Sequence, residues 1–294
     1  MIKVRVPATS ANLGPGFDCV GIALDLYNEF YFYDQKETPP EGCQTLLENS
    51  LAHRAVAHFA RYFRERTPQV NIAVKGNVPP SRGLGSSATL TVAGIIAANL
   101  IFQANLPEQK LIELASQLEG HPDNAAPALC GGLVVSLMTS QGLVYKKIMP
   151  GKPLKAVVAV PDFELATSEA RKVLPSLISH KDAVNNTGRF GFFMTSLLTG
   201  DYRFLSVAME DFLHQPYRMP LVPGLDRVIK EAVSKGALGS CLSGAGPSIL
   251  AFADQEEEAI ARIMVDTWKE YNIEAKAYIL NIASQGAEYS IIIN

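Results

Sequence analysis

The sequence predicts an α+β protein with two domains. Its 294 residues suit two domains of ordinary size, since a domain commonly holds roughly 150 residues. Patterns typical of strands and of helices occur in both halves of the chain. Between the halves, the segment Met-Pro-Gly-Lys-Pro at residues 149–153 carries two prolines and a glycine, which stop the preceding strand. We therefore expect a first domain over residues 1–152 and a second over residues 153–294.

In the first half, β-branched and aromatic residues at alternating positions predict strands. The predicted strands cover residues 3–6, 21–33, 70–75, 131–138 and 143–147. Apolar residues near a helical period predict helices, and the middle one is almost wholly apolar. These helices cover residues 49–66, 86–103 and 107–119.

The same criteria predict a second α+β unit in the other half. Its predicted strands cover residues 156–160, 249–253 and 275–282. Its predicted helices cover residues 183–198, 201–213, 225–234 and 256–271. No period of 20 to 50 residues recurs along the chain, so the sequence does not indicate a repeat protein.

The charge balance excludes a general nucleic-acid coat protein. With 26 basic and 29 acidic side chains, the formal net charge is −3, so no overall positive field exists to hold a polyanion by releasing its counterions. The longest apolar run, residues 88–102, is interrupted by three polar residues and falls short of the ~20 residues that cross a bilayer. We therefore expect neither nucleic acid nor a membrane as a partner.

The first residues and the cysteines indicate a cytoplasmic protein. The chain begins with basic residues alternating with aliphatic ones and reaches Pro7 without the apolar core of a signal peptide. The cysteines form no Cys-x-x-Cys pair and have no histidine at zinc-ligand spacing. They are Cys19, Cys43, Cys130 and Cys241. We expect reduced thiols that fill the core.

The main candidate for chemistry is the glycine-rich segment Pro-Pro-Ser-Arg-Gly-Leu-Gly-Ser-Ser-Ala at residues 79–88. Gly83 and Gly85 have no side chain, so backbone N–H groups can turn toward a ligand. A helix that begins at Ser86 adds unpaired N–H donors and the positive end of its dipole. The segment therefore predicts a cradle for an anion. A flexible turn before a helix cap, the plainer alternative, explains Ser86 but not the two glycines.

Two better-known phosphate loops fit this segment less well. A Walker A loop requires a lysine directly after its last glycine, and Gly85 is followed by serine. The Rossmann fingerprint matches in spacing at Gly83, Gly85 and Ala88. However, two consecutive helices are predicted after it, where that fold needs a helix and then a strand ending in an acidic residue. A nicotinamide-dependent oxidoreductase remains only as an alternative.

Two further segments combine glycines with polar residues. Residues 7–18, Pro-Ala-Thr-Ser-Ala-Asn-Leu-Gly-Pro-Gly-Phe-Asp, present Asn12 and Asp18 on a loop that can grip a polar group. An ordinary Asx-capped turn explains either residue alone. Residues 240–248, Ser-Cys-Leu-Ser-Gly-Ala-Gly-Pro-Ser, lie in the second half and must face the first half to matter.

Taken together and in this order, the three segments resemble the GHMP kinase superfamily of small-molecule kinases, named for galactose, homoserine, mevalonate and phosphomevalonate. Residues 79–88 match that superfamily's phosphate loop. Residues 7–18, with Glu-Gly-His-Pro-Asp-Asn-Ala-Ala-Pro at 119–127, resemble its homoserine kinase family. The resemblance implies ATP-dependent phosphorylation of the side-chain hydroxyl of L-homoserine, on the route to threonine. It also implies two α+β domains, the second ferredoxin-like, with the active site in the cleft between them.

The resemblance further implies which residues hold the cofactors, ATP and Mg²⁺. Mg²⁺ falls to Ser87 and Glu119, an oxygen donor set that suits a hard cation. Without the resemblance, Glu119 is a solvated carboxylate at a helix end. The residues implied to bind ATP are Pro80, Ser81, Arg82, Gly83, Leu84, Gly85, Ser86, Ser87, Ala88 and Thr89. The adenine-binding loop of the family runs near residues 49–51, but residue types this common do not identify an adenine pocket.

For the substrate, the resemblance implies contacts from Asn12, Asp18, His121, Arg171 and Arg218. A zwitterion needs an anion or carbonyl groups for its ammonium and a planar fork of donors for its carboxylate. Asp18 suits the first role and the two arginines suit the second. Without the resemblance, Arg171 is one more charge on a short helix and Arg218 a loop arginine. The combination distinguishes homoserine from mevalonate, which has no ammonium group.

The sequence leaves the fate of the hydroxyl proton open. Asp123 matches the aspartate that acts as base in mevalonate-type relatives, whereas homoserine kinases are thought to work without a base, with the asparagine matching Asn124 near the reacting groups. We expect direct attack on the γ-phosphate, assisted by Asn124. Among the other histidines, His214 lies on the same loop as Arg218.

Three alternatives beside the oxidoreductase stay open at this point. The chain is also compatible with a mevalonate-class or a shikimate-class small-molecule kinase. A non-catalytic metabolite-binding module would keep Asn12 and Asp18 but lose the metal ligands, and both Ser87 and Glu119 are present. The sequence does not give the oligomeric state, and a homodimer is an open option.

Overall fold

Two antiparallel sheets organise residues 1–293, the part of the chain that the computed structural model describes. The strands are β1 (Ile2–Ala11), β2 (Val20–Tyr33), β3 (Gln44–Thr45), β4 (Asn71–Gly76), β5 (Leu133–Thr139), β6 (Gly142–Ile148), β7 (Lys155–Pro161), β8 (Gly239–Leu242), β9 (Ile249–Ala253), β10 (Ala275–Asn281) and β11 (Glu288–Ile291). The helices are α1 (Leu51–Tyr62), α2 (Ser86–Ile101), α3 (Glu108–Glu119), α4 (Ala125–Cys130), α5 (Thr167–Lys172), α6 (His180–Thr199), α7 (Leu205–Ala208), α8 (Gln215–Arg218), α9 (Leu225–Ser234) and α10 (Glu257–Lys269).

The first sheet has seven strands, of which β11, β1, β2, β4 and β3 are neighbours in that order, and β5 and β6 extend it from β2. Helices α1 to α4 supply the apolar residues that cover it, with Phe59 and Ile95 packed in one cluster with Val4 and Phe30 of the sheet. Helix α2 contacts α1, α3, α4, β1 and β2. Its nearly continuous apolar sequence follows from this position, because a helix buried on most sides has no polar face.

The second sheet has the order β10-β7-β9-β8, with helices α5 to α9 between β7 and β8 and helix α10 between β9 and β10. This is the ferredoxin-like arrangement that was expected. Strand β7 is buried on both faces. Its Ala156 and Val158 pack into one apolar cluster, while Val157 and Ala159 pack into another on the opposite face with α9 and α10, as the period of two in a strand requires.

The two halves share one apolar core. Leu13 and Ile22 from the first half lie in the same buried cluster as Phe193 and Leu250 from the second. Burying a side chain of this size contributes roughly 1.5–3 kcal/mol relative to exposing it. The shared core therefore fixes the two sheets relative to each other and leaves a polar cleft beside it.

The end of the chain departs from the expected division. The sequence predicts residues 153–294 as one domain, but β11 pairs with β1, with Ile291 opposite Ile2, and so extends the first sheet. The main crossing between sheets occurs from β6 to β7. The exact boundary at residue 152 stays a prediction.

The helix predicted over residues 201–213 is wrong, since only α7 is helical within that range. The carboxylate of Asp211 accepts the backbone N–H groups of Leu213, His214 and Gln215. An aspartate that binds backbone donors ahead of it favours a turn and a helix start over a continuing helix. The chain therefore turns at Asp211 and begins α8 instead.

No helix within residues 1–293 is long and apolar enough to span a membrane.

The cysteines form no disulfide, and Cys130 and Cys241 are buried. Burial raises the pKa of Cys130 to about 12, so this thiol is unreactive core.

Candidate active site

The three glycine-rich segments meet at one cleft that encloses about 430 Å³. Most residues singled out in the sequence line it. They are Asn12, Asp18, Pro80, Ser81, Arg82, Gly83, Gly85, Ser86, Ser87, Ala88, Glu119, His121, Asp123, Asn124, Arg171 and Arg218. Residues more than 200 positions apart in the sequence therefore line the same cleft. The contacts that hold each side chain determine what the cleft can bind.

Two residues of the predicted ATP-binding set do not line the cleft. Leu84 is fully buried in the core shared by the two halves. Thr89 is also fully buried, where its hydroxyl donates to the carbonyl of Ser86 at 2.8 Å and accepts from Asn28 at 3.0 Å. Both side chains anchor the phosphate loop from behind.

The glycines of the loop are required by close approach as well as by conformation. Gly83 and Gly85 have φ values of 75° and 66°, in the left-handed region that favours glycine. A Cβ on Gly83 would lie 2.2 Å from the carbonyl oxygen of Ser243, and one on Gly85 would lie 1.9 Å from Oγ1 of Thr9. Helix α2 begins directly after Gly85, so its first N–H groups, which have no partner inside the helix, border the cleft.

The third glycine-rich segment does face the first half. The hydroxyl of Ser243 donates to the carbonyl of Gly83 at 2.6 Å. The Asn12 side-chain amide donates to the carbonyl of Gly244 at 2.9 Å. These two contacts tie the second half of the chain to the phosphate loop and to the loop of residues 12–18, and so close one end of the cleft.

Three oxygen-bearing side chains gather beside the phosphate loop. Helix α3 packs on α2 and ends at Glu119, which places both carboxylate oxygens 3.0 Å from the hydroxyl of Ser87. The hydroxyl of Thr91, one helical turn after Ser87, donates to the same carboxylate. Hydroxyl and carboxylate oxygens next to a phosphate cradle are the donors that Mg²⁺ prefers. The donor set therefore fits Mg²⁺, and Thr91 is a neighbour that the sequence did not single out.

An ion pair crosses the cleft between the two halves. The guanidinium of Arg171, on α5, binds the carboxylate of Asp18 through two parallel hydrogen bonds of 2.7 and 3.0 Å. The sequence gives the two residues separate roles, and the structure brings them into direct contact. Both side chains keep about a third of their surface exposed, 38% for Arg171 and 34% for Asp18, so both stay accessible to a ligand.

Arg218 is the most unusual charge in the cleft, because only 1% of it is exposed. Its Nε donates to the carbonyl of Ala170, and its Nη1 to the carbonyl of Gly244, at 3.1 Å each. Among residues 1–293 it has no carboxylate partner. Burial, followed by the charge of Arg171, lowers the pKa of Arg218 to about 10, so it is still cationic at neutral pH. A buried cation without an anion is costly, which marks this point as a place for an anionic group of a ligand.

Asp123, His121 and Asn124 form a connected cluster at the floor of the cleft. Asp123 is 2% exposed, and its Oδ1 accepts from Nδ1 of His121 and from Nδ2 of Asn124. Asn124 in turn accepts a 2.7 Å hydrogen bond from the hydroxyl of Thr9. Asp18 lies nearby. One carboxylate oxygen of Asp18, one of Asp123 and one ring nitrogen of His121 all lie within 4.8 Å of one another. Each carboxylate already has a partner, Arg171 for Asp18 and His121 for Asp123.

The His121–Asp123 contact predicts a measurable titration. Burial lowers the pKa of His121, but the hydrogen bond and the charge of Asp123 outweigh it and raise the pKa above the ordinary value of 6.5. In Asp123→Asn the charge of Asp123 is lost while burial and the opposing charges of Asp18 and Arg171 remain, so the pKa of His121 should be lower than in the wild type. NMR titration of the imidazole in both proteins measures this. A wild-type pKa below that of the variant would contradict the assignment.

The same shift fixes the sign of a pH effect on stability. A histidine whose pKa is raised on folding stabilises the protein below its unfolded pKa, and this contribution is lost as the pH rises through the folded value. The free energy of unfolding lost in Asp123→Asn should therefore be larger at about pH 6 than at about pH 9. Urea denaturation at the two pH values measures it.

Other lining residues were missed by the sequence. Leu51 and Arg54 lie in the first turn of α1 and reach the same cleft. Leu165 and Thr167 reach it from the segment before and at the start of α5. The sequence offered one signal for Leu51, which is that the adenine-binding loop of the family runs near residues 49–51. Nothing in the local pattern distinguishes Arg54 from the other charged residues of α1.

Comparison with known proteins finds a family model for each half of the chain. The family "GHMP kinases N terminal domain" matches residues 50–132, and "GHMP kinases C terminal" matches residues 193–270. A homoserine kinase of Nostoc punctiforme is 45% identical, with the match covering 98% of this chain and 97% of the relative. The crystal structure of a homoserine kinase from Cytophaga hutchinsonii superposes with a TM-score of 0.83 at 29% identity, covering 98% and 97% of the two chains.

A mevalonate kinase of L. major shares the fold at a TM-score of 0.69 but only 17% of its residues, over 97% of both chains. The oxidoreductase alternative fails on topology, because every strand pair between named strands in residues 1–293 is antiparallel and a Rossmann fold is built on a parallel sheet. The phosphate loop, the two sheets and both family matches agree with one another. The chain belongs to the GHMP kinase family, and its near-full-length relatives include homoserine kinases.

Proposed function

We propose that this enzyme transfers the γ-phosphoryl group of ATP to the side-chain hydroxyl of L-homoserine, giving O-phospho-L-homoserine and ADP. The observation that carries the proposal is the buried cation of Arg218 without a carboxylate partner, in the same cleft as the anionic Asp18 and the phosphate loop. A ligand with a carboxylate, an ammonium and a hydroxyl complements these three features. The homoserine kinases among the near-full-length relatives support the same assignment.

The nucleotide is held by local donors, since the chain as a whole carries a net charge of −3. Backbone N–H groups around Gly83 and Gly85 and the first turn of α2 bind the phosphates. Ser87 and Glu119 would hold Mg²⁺, and the hydroxyl of Thr91 fixes the Glu119 carboxylate by donating to its Oε1. The chemistry supplied by the bound metal would be positive charge beside the phosphates.

The substrate is held by its two charges. Asp18 and the amide oxygen of Asn12 face the ammonium, while the guanidinium groups of Arg218 and Arg171 face the carboxylate. His121 lines the same cleft. When the ligand carboxylate draws Arg171 away from Asp18, an acid without the ammonium group, such as mevalonate, leaves Asp18 with no partner, and discrimination follows from this unpaired charge.

The protein's main contribution to the chemistry is positioning. Phosphoryl transfer passes through a loose transition state in most analyses, in which the bond from the attacking oxygen to phosphorus is only slightly formed. A base that removes the hydroxyl proton is therefore of little benefit, and positioning matters more. The Oδ1 atom of Asp123 is already taken by His121 and Asn124. We therefore assign direct attack of the hydroxyl on the γ-phosphate, with Asn124 orienting the reacting groups.

Base-free attack predicts a mild effect of Asp123→Asn on turnover. We expect the kcat for homoserine to fall only a few-fold, because an obligate general base typically contributes about 100-fold or more. Steady-state kinetics at saturating ATP measures this, and calorimetric ATP binding shows whether the cleft is intact. A loss of more than about 100-fold would identify Asp123 as a base.

A coupled assay of ADP release tests the function itself. With Mg²⁺ and ATP present, homoserine, mevalonate, galactose and shikimate are compared as acceptors. We expect turnover with homoserine and a kcat/KM for the others lower by about 1,000-fold or more, the scale of discrimination by unpaired polar groups. Turnover of another acceptor alone would assign a different GHMP-type kinase, and no turnover at all would indicate a non-catalytic binding module.

The proposed activity also sets the partners, which are a small amino acid and a nucleotide. A cytoplasmic location and a homodimer remain predictions from the sequence. Light scattering after size-exclusion chromatography gives the oligomeric state directly.

A further inference from the structure

A buried histidine, His214, lies behind the cleft without lining it. It is 0% exposed, and it is separated from any ligand by Arg218. We infer that His214 is a positioning residue that aims the guanidinium of Arg218 at the substrate carboxylate. The inference rests on the proposed function, because it concerns how the same cleft holds its substrate.

The two ring nitrogens of His214 have different partners. Nδ1 lies 3.2 Å from Nη1 of Arg218, and Nε2 lies 3.0 Å from the carbonyl oxygen of Gly14. A guanidinium has only donors, so Nδ1 must accept. The single proton of the neutral ring then sits on Nε2, where it donates to Gly14. The contacts therefore fix one neutral tautomer.

The surroundings of the ring favour this neutral form. Asp211 lies 3.5 Å from Nε2 and attracts a proton, while the charge of Arg218 repels one. Burial is the largest effect and lowers the pKa of His214. Asp18 is the remaining charged group that acts on the ring. A protonated ring would lose its acceptor and face Arg218 as a like charge.

His214 also connects Arg218 to the loop that carries Asp18. Its ring stacks on Phe17, with ring centroids 5.2 Å apart, and the guanidinium of Arg218 lies over the same Phe17 ring at 5.3 Å. Gly14 and Phe17 both belong to the loop of residues 12–18. The histidine therefore sets the spacing between the cationic and the anionic ends of the zwitterion site.

Arg218 needs such an anchor because its other contacts leave one end free. Nε is held by the carbonyl of Ala170, and Nη1 is shared between His214 and the carbonyl of Gly244. Nη2 has no hydrogen-bond partner among residues 1–293, and Arg218 borders the cleft. Because Nε and Nη1 are held from behind, Nη2 is the nitrogen left to donate to the ligand carboxylate, through a charge-assisted hydrogen bond.

Two near-isosteric variants separate the contacts of the ring. In His214→Gln, the amide nitrogen reaches the place of Nε2 and keeps the donor to Gly14, but the acceptor for Arg218 is lost. In His214→Asn, the amide oxygen takes the place of Nδ1 and keeps the acceptor, but the donor to Gly14 is lost. We expect His214→Gln to raise the KM for homoserine about tenfold, with the KM for ATP changed less than about twofold. We expect His214→Asn to raise the homoserine KM less than about threefold.

The same comparison in an Arg218→Lys background tests whether the effect passes through Arg218. If it does, His214→Gln should change the homoserine KM less than about twofold there, since coupled residues are not additive. Equal effects of Gln and Asn, or an undiminished effect in the Arg218→Lys background, would overturn the inference. Calorimetric ATP binding shows that each variant is folded. If only His214→Asn folds, a homoserine KM near that of the wild type supports the inference and a tenfold rise overturns it. Turnover of homoserine by the wild type tests the function separately.

Discussion

Replacing Arg218 with methionine is expected to raise the KM for homoserine by about 100-fold, since a hydrogen bond to a charged group contributes roughly 1.5–3 kcal/mol and the carboxylate loses the one from Nη2 together with the positive charge. The KM for ATP should stay within about twofold, because the phosphate loop makes no hydrogen bond to Arg218. Steady-state kinetics with each substrate varied in turn measures both constants.

Two opposing effects act on the stability of this variant. The carbonyls of Ala170 and Gly244 and Nδ1 of His214 lose their donor, and a buried acceptor left unpaired costs about 1–3 kcal/mol. Removal of a buried charge that has no carboxylate partner offsets part of this cost, so we expect a modest fall in the midpoint of thermal unfolding, and calorimetric ATP binding shows that the variant is folded. Arg203→Met is a matched control, because Arg203 lies on the surface and pairs only with Asp201. An unchanged homoserine KM in Arg218→Met would contradict the assigned role.

Replacing Glu119 with glutamine is expected to lower kcat by about 1,000-fold, the upper range seen when one preorganised electrostatic group is removed. The amide keeps the size of the side chain and can still accept from Ser87 and Thr91, so the fold of α2 and α3 is preserved. What is lost is the negative charge that holds Mg²⁺ beside the phosphates. Raising the Mg²⁺ concentration should restore part of the activity.

Glu113→Gln controls for the loss of a charge on the same helix. Glu113 lies on α3 and pairs with Lys110, outside the cleft, so its kcat should match that of the wild type. If Glu119→Gln retained more than about a tenth of the wild-type kcat at low Mg²⁺, Glu119 would not be a ligand of the catalytic metal.

The ion pair between Asp18 and Arg171 is compatible with both residues binding substrate. Both side chains are partly exposed, and a solvent-exposed ion pair contributes only about 0–1 kcal/mol. The ammonium and carboxylate of a zwitterion can therefore take over these charges at little cost. Until substrate arrives, the pair keeps each charge neutralised and links the two halves of the chain.

The parts of the site that depend on local pattern could be predicted from the sequence. Two glycines and two serines before an apolar helix predict an anion site at a helix N-terminus, and Gly83, Gly85 and Ser86 border the cleft there. That inference needs only helix periodicity and glycine conformation. The pairing of Glu119 with Ser87 came from the resemblance to the GHMP kinase superfamily, and the two side chains are 3.0 Å apart.

The parts of the site that depend on tertiary packing could not be predicted from the sequence. The complete burial of Arg218 comes from contacts with Ala170, Gly244 and His214, which no local pattern around residue 218 records. The pairing of Asp18 with Arg171 spans 153 positions. Strand β11 joins the first sheet because backbone pairing with β1 satisfies its hydrogen bonds, and its short, exposed sequence gives no sign of which sheet it will join.

The most direct test of the central claim is to identify the product. The purified enzyme is incubated with ATP, Mg²⁺ and L-homoserine, and the mixture is examined by ³¹P NMR and mass spectrometry. We predict ADP and an equal amount of a phosphate monoester on the side-chain oxygen, with the amino group unmodified. ADP accompanied only by inorganic phosphate, or a phosphate on the nitrogen or the carboxylate, would contradict the account.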